Sequence, residues 1–131
     1  MQILGTGVDI VENTRIKTSL RNKLFVDRIF TSNEIALSKK VKNQTNFYSK
    51  RFAAKEAFAK SIGTGFSNGL NFKDISVINN KAGKPSFVIT KKIKKIIKDN
   101  FKVSSFNFFL SISDEKNYSI AFVILQKNNA R

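Results

Sequence analysis

The chain has 131 residues and a formal net charge of +15, and it contains neither Cys nor His. Its length suits one domain, able to bury about two-thirds of the surface its unfolded chain would expose. Without Cys there is no disulfide, thiolate metal site or Cys nucleophile; without His, catalysis must rest on carboxylates, lysines, hydroxyls, bound water or a hard metal.

The opening MQILGTGVDIVE has acidic residues and glycines where a signal peptide needs a basic start and a long apolar stretch. The longest apolar run, Ile120 to Leu125, is too short to cross a bilayer. These features predict a cytoplasmic protein with no membrane partner. The positive charge raises nucleic acid as a partner, but Lys greatly outnumbers Arg and comes with abundant Asn, Ile and Phe, a mixture that nucleotide bias also produces. An acidic protein or an anionic cofactor answers the charge equally well.

Taken in chain order, Ile3 to Ile10 reads as a strand, with Gly5 and Gly7 either permitting a bulge or leaving room for a close neighbour. Asn13 or Thr14 can cap a short helix, a second helical piece runs from Lys23 to Phe30, and Thr31 with Glu34 forms a capping box for a third. The main helix is predicted from Asn46 to Ile62, stopped by Gly63 in the left-handed conformation.

A loop from Gly65 to Lys73 follows, then strands Asp74 to Asn79 and Ser86 to Thr90 around a turn with Gly83, Lys84 and Pro85. Ile93, Ile96 and Ile97 make a narrow apolar stripe on a lysine-rich helix between Thr90 and Asn100, whose lysines face solvent. Phe106, Phe108, Leu110 and Ile112 share one strand face, and Tyr118, Ile120, Phe122 and Ile124 share one on the next, around a turn at Asp114 to Asn117. This hairpin carries more aromatic surface than one sheet face of a small monomer hides, which suggests a subunit interface. The predicted fold is α+β: one domain over residues 1–131, mostly antiparallel sheet packed on one long helix plus short helices.

Two carboxylates stand out. Asp9 lies among Val8, Ile10 and Val11, where an unpartnered charge is costly. A cation would resolve that cost, as would hydrogen bonds from backbone amides of the next helix. Glu56 precedes Lys60 by four residues, which reads either as a surface ion pair or as a metal ligand beside a phosphate-binding ammonium. On a helix, Phe52, Glu56, Ala59, Lys60 and Gly63 share one face, and Arg51, Lys55, Phe58 and Ile62 a neighbouring one. Magnesium takes one or two protein carboxylates and fills its octahedron with phosphate oxygens and water, a requirement that Asp9 and Glu56 meet. Neither glycine cluster is a standard phosphate cradle, and Gly63, Thr64 and Gly65 follow a helix, at the partially negative end of its dipole. Their small size would let a nucleotide approach, while Arg51 and Lys84 are weaker phosphate candidates, each a solvated surface charge if taken singly.

GVDIVE at Gly7 to Glu12 and RFAAKEAFAKSIGTG at Arg51 to Gly65, in this order and at this separation, resemble the holo-acyl-carrier-protein synthases, the short single-lobe 4′-phosphopantetheinyl transferases. GKP at Gly83 to Pro85 and SIS…YSIAFVI from Ser111 to Ile124 resemble further landmarks. The resemblance implies Mg2+ held by Asp9 and Glu56, Lys60 near a pyrophosphate, and coenzyme A as co-substrate against Arg51, Lys60, Gly63, Thr64, Gly65, Lys84 and Pro85. It also implies an acidic acyl carrier protein docking on Arg15, Arg21 and Arg28, and a homotrimer with sites shared between subunits. The reaction so implied moves the phosphopantetheine arm onto a serine of the carrier, in fatty acid biosynthesis, releasing adenosine 3′,5′-bisphosphate.

Where that family usually has His after the penultimate strand, this chain has Asp114 and Glu115. An acidic pair cannot donate to phosphate. Asp114 is therefore an extra metal ligand, a catalytic base or a turn residue, and the alternative of a relative that binds without chemistry stays open beside that of a basic nucleic-acid module.

Overall fold

The computed structural model describes residues 1–67 and 69–129. Strand β1 (Gln2–Glu12) leads into three short helices, α1 (Asn13–Ser19), α2 (Lys23–Ile29) and α3 (Ser32–Ser38), and then the long α4 (Gln44–Ile62). A 3-10 turn (Phe72–Asp74) precedes the small antiparallel pair β2 (Val77–Asn79) and β3 (Pro85–Phe87), followed by α5 (Lys91–Phe101) and the hairpin β4 (Phe106–Asp114) and β5 (Tyr118–Lys127). The fold is α+β, as the sequence predicts. Strands β1, β5 and β4 form an antiparallel sheet in that order, and α4 lies across one of its faces.

Local chemistry explains most boundaries. The Thr31 and Glu34 capping box forms with both bonds in place, Thr90 caps α5, and Gly63 ends α4 at φ 90°. Asn43, rather than a residue nearer Asn46, caps α4 by accepting from the Asn46 amide. Asn13 does not cap α1: it is buried inside the first turn, where its Nδ2 donates to the Glu115 and Lys116 carbonyls and its Oδ1 accepts from Ser119 Oγ, so it fastens the β4–β5 turn to the end of β1. Strands β2 and β3 are shorter than expected.

The small residues Ala53, Ala57, Ala121 and Val123 bring α4 close to the sheet, with Phe58 stacked on Phe108 at 4.3 Å between ring centroids. A second cluster, around Phe30, Phe47 and Tyr48, packs α1 to α3 against the first half of α4. On β5 the alternation places Ser119, Ala121, Val123 and Leu125 inward, so that Tyr118, Ile120 and Phe122 face away from α4. With Val8 and Ile10 of β1 and Phe109 of β4 they leave an apolar sheet face exposed: Val8 is 55% and Phe122 42% accessible, side by side in the β1–β5 register.

Candidate active site

Gly5 and Gly7 fix where β1 crosses α4. A Cβ on Gly5 would stand 1.9 Å from the Ser61 carbonyl oxygen, and one on Gly7 1.9 Å from that of Ala57, so only hydrogen permits the approach. β1 also carries a register shift between Ile3 and Gly5, so both readings of these glycines hold. Gly5, Gly7 and Asp9 alternate onto the same side of β1, while Ala57 and Ser61 directly follow Glu56 and Lys60. The two carboxylates and the ammonium thereby meet.

Lys60 Nζ donates to the Val8 carbonyl oxygen at 3.0 Å and to Asp9 Oδ1 at 3.2 Å. The ion pair of Lys60 is thus with Asp9 on the strand and not with Glu56 one turn back on its own helix. Asp9 Oδ2 is buried without a hydrogen-bond partner. This answers the alternative for Asp9: β1 continues to Glu12, and no helix amide reaches that oxygen.

Burial pushes the Asp9 carboxyl up from its ordinary value, against the opposing pull of Lys60. Glu56 is pushed up by burial and further by the charge of Asp9, again opposed by Lys60. Two half-buried carboxylates, with the charge of Asp9 disfavouring that of Glu56 and one oxygen unpartnered, form a donor set suited to a hard divalent cation. Among the described residues no third His, Cys, Asp or Glu joins them, which leaves the remaining coordination positions to water or ligand oxygens.

Next to this pair lies a groove walled by aromatic rings. Phe25 of α2 stacks on Phe52 of α4 at 6.1 Å, and Phe52 stacks on Phe72 at 5.7 Å. Phe52 is one turn before Glu56, and Ile10, next to Asp9, lines the part of the groove that Arg15 borders. Arg15 and Arg28 stand on its two sides, both exposed. Arg21, in the turn between α1 and α2, lines neither part.

Gly63, Thr64 and Gly65 follow the end of α4 just past Lys60, and the remaining candidate residues gather elsewhere. Asp114 ends β4, and its Oδ2 accepts from Asn46 Nδ2 at 2.6 Å, near the start of α4. Asn46 and Glu56 are ten residues apart on the helix, about 15 Å of rise, so within one chain Asp114 stands well away from Asp9 and Glu56. It lines a narrow cleft with Lys50, Arg51, Asn79, Gly83 and Pro85, while Lys84 lies exposed in the adjoining turn.

Arg51 is not the solvated charge that its sequence position suggests. It is 5% exposed, with its guanidinium carbon 3.7 Å from the centre of the Phe47 ring and Nε 3.9 Å from Glu34 Oε2. Burial lowers its pKa, with Glu34 opposing. Sequence reasoning missed Lys50 and Asn79 in this cleft, and missed the buried ion pair of Lys55 with Glu34; it placed Glu34 only as the partner of Thr31 in the capping box.

The site's features agree with similarity over the whole chain. Residues 5–123 match the model of the 4′-phosphopantetheinyl transferase superfamily. The chain is 71% identical over 127 residues to a holo-acyl-carrier-protein synthase of Pelagibacter ubique, covering 97% of this chain and 99% of that protein, and 40% identical over 128 residues to one of Wolbachia pipientis, covering 94% and 97%. Among solved structures, the holo-acyl-carrier-protein synthase of Neisseria meningitidis superposes with a TM-score of 0.85 at 35% identity, over 96% of this chain and all of that one. That of Bacillus anthracis, in complex with coenzyme A (3′,5′-ADP), gives 0.81 at 35% identity over 98% and 100%. The chain belongs to the 4′-phosphopantetheinyl transferase superfamily, among its holo-acyl-carrier-protein synthases.

Proposed function

We propose that the whole chain, residues 1–131, acts as one cytoplasmic transferase domain that moves the 4′-phosphopantetheine group from coenzyme A to a serine of an acidic apo acyl carrier protein. The observation that carries this reading is the unpartnered, buried Asp9 Oδ2 beside Glu56, with Lys60 at the rim. Asp9 and Glu56 would hold Mg2+, which when bound neutralises charge on the diphosphate.

The carrier's serine oxygen forms the new bond to the phosphorus that bears the pantetheine arm. The bond from that phosphorus to the adenosine 3′,5′-bisphosphate oxygen breaks, and the bisphosphate leaves. Lys60, half exposed at the mouth of the site, supplies positive charge to the transferring phosphoryl and its leaving group. Because the nucleophile comes from the partner, the chain needs no Ser, His and Asp triad. Gly63, Thr64 and Gly65, past the end of α4, leave the nucleotide room to approach. Arg15 and Arg28 flank the aromatic groove and, with Arg21, steer the acidic carrier toward it; nucleic acid and membrane have no part in this reading.

The cleft of Arg51, Lys84, Pro85 and Asp114 supplies the nucleotide side of a neighbouring subunit's site. This follows from a homotrimer assembled through the exposed apolar sheet face, which needs a cover. In such an assembly Asp114 approaches the partner's reaction centre, where it is placed to take the serine proton. The test is incubation with apo acyl carrier protein, coenzyme A and magnesium, followed by intact mass. The carrier gains one phosphopantetheine; a mass that never changes overturns the proposal.

A further inference from the structure

We propose that Lys55 and Glu34 are a positioning pair that sets the carrier-docking groove against the metal-bearing face of α4, an inference that rests on the function proposed above. Both side chains are fully buried. Lys55 Nζ lies 2.7 Å from Glu34 Oε1 and donates to three carbonyl oxygens, those of Ile29 at 3.0 Å, Phe72 at 3.1 Å and Ile75 at 2.6 Å. Three protons thus serve four acceptors on three separate stretches of chain. Ile29 closes α2, so the ammonium satisfies a carbonyl that the helix itself leaves open. Phe72 and Ile75 bracket the 3-10 turn. Glu34 extends the junction by accepting from the Thr31 amide at 3.0 Å and the Val77 amide at 3.2 Å.

A buried ion pair is a poor way to gain stability, since apolar packing of the same volume does as well or better. What the pair supplies here is placement. The walls of the groove ride on the segments that Lys55 holds: Arg28 directly precedes Ile29, and the Phe72 ring stacks on Phe52. The Asp9 to Glu56 approach is set separately, by Gly5 and Gly7 against the carbonyls of α4, and the bonds of Lys55 go to Glu34, Ile29, Phe72 and Ile75 and not to β1. Docking and metal binding are therefore separable, although Lys55 and Glu56 are neighbours in the chain.

The test removes both charges together, as Lys55→Met with Glu34→Gln, so that neither member of the pair is left buried alone; Arg51, 3.9 Å from Glu34, loses that counter-charge but keeps its place over the Phe47 ring. Initial rates are measured against apo carrier protein, coenzyme A and magnesium in turn. The expected result is a KM for the carrier raised on the order of ten-fold, with kcat at saturating carrier and coenzyme A and the magnesium half-saturation unchanged. A purely architectural role would lower Tm and active fraction alone, so a folded variant with the original carrier KM overturns the inference.

If the double variant does not fold, native-state hydrogen exchange on the unaltered protein decides. Segments 26–30 and 72–77 opening together with α4 support the junction, and independent opening overturns it. Failure of the unaltered protein to modify any carrier would sink the proposed function instead, and leaves the exchange test standing.

Discussion

Gly7 of β1 and Ala57 of α4 are packed so closely that a Cβ at Gly7 would sit 1.9 Å from the Ala57 carbonyl oxygen. The obstacle is helix backbone, which cannot swing aside as a side chain would. Gly7→Ala must therefore push β1 off α4, and with it Asp9, two residues along. Overpacking of this kind costs about 1–3 kcal/mol, occasionally more. The expected outcome is a lower Tm together with a loss of magnesium affinity in the fraction that stays folded, read by thermal melts with and without the metal.

Much of this arrangement is legible in the sequence. The period of α4, its glycine stop and the Thr31 capping box follow from local rules that tertiary contacts here do not override. Gly5 and Gly7 left two readings open because a glycine in a strand marks a bulge as readily as a close neighbour, and only the position of α4 shows that both occur. Lys55 was invisible for a related reason. It shares a wheel face with Arg51, and no local pattern says that the surface it meets consists of three carbonyl ends and Glu34.

In the proposed function Asp9 and Glu56 trade stability for chemistry. Folding raises both carboxyl pKa values, so the folded state binds their protons more tightly than the unfolded chain does. The resulting penalty is absent below the ordinary unfolded carboxylate range near 4 and grows as pH rises through the folded values. Glu56→Gln removes the share that Glu56 carries and leaves that of Asp9. At neutral pH this variant should melt a few degrees higher than the unaltered protein, with the difference closing as pH falls toward 4, and should show neither a magnesium-dependent shift in Tm nor transfer to carrier. A variant equally stable at all pH values, or one that still transfers, would contradict this account.

Lys60 is bound to β1 through the Val8 carbonyl and Asp9, yet remains half exposed. It can serve the phosphate without losing its anchor to the strand. Lys60→Met keeps most of the length of the side chain and removes the charge. Loss of one charge donor to a developing oxyanion costs about 10²–10³ in kcat, and the KM for the carrier, which in the proposed function docks on other residues, should stay unchanged. Steady-state rates with each substrate varied separate these effects.

The phase of β5 was the part of the sheet that sequence alone could not settle. Tyr118, Ile120, Phe122 and Ile124 alternate as a core face would, but the smaller set of Ser119, Ala121, Val123 and Leu125 packs against α4, because a long helix crossing at close range needs small partners. Sequence periodicity identifies two faces without saying which is inside. The larger set is then left outward with Val8 and Ile10, and Asp114 is left at the far end of α4 from Asp9.

The outward apolar face and the proposed division of the site between subunits make a joint expectation. Phe122 stands beside Val8 in the middle of that face, and Phe122→Glu places a charge where a neighbouring subunit would have to bury it. The variant should sediment as a monomer and lose transfer, although its own Asp9, Glu56 and Lys60 are untouched. Complementation tests the division directly. Chains carrying Asp9→Asn and chains carrying Lys50→Ala with Lys84→Ala, each weak or inactive alone, should recover transfer when unfolded and refolded together, because a mixed assembly pairs an intact carboxylate half from one chain with an intact cleft from the next. Recovery on mixing, with loss of recovery when Phe122→Glu is added to both, places the two halves on different subunits. No recovery, together with an active monomer, would return the whole site to one chain.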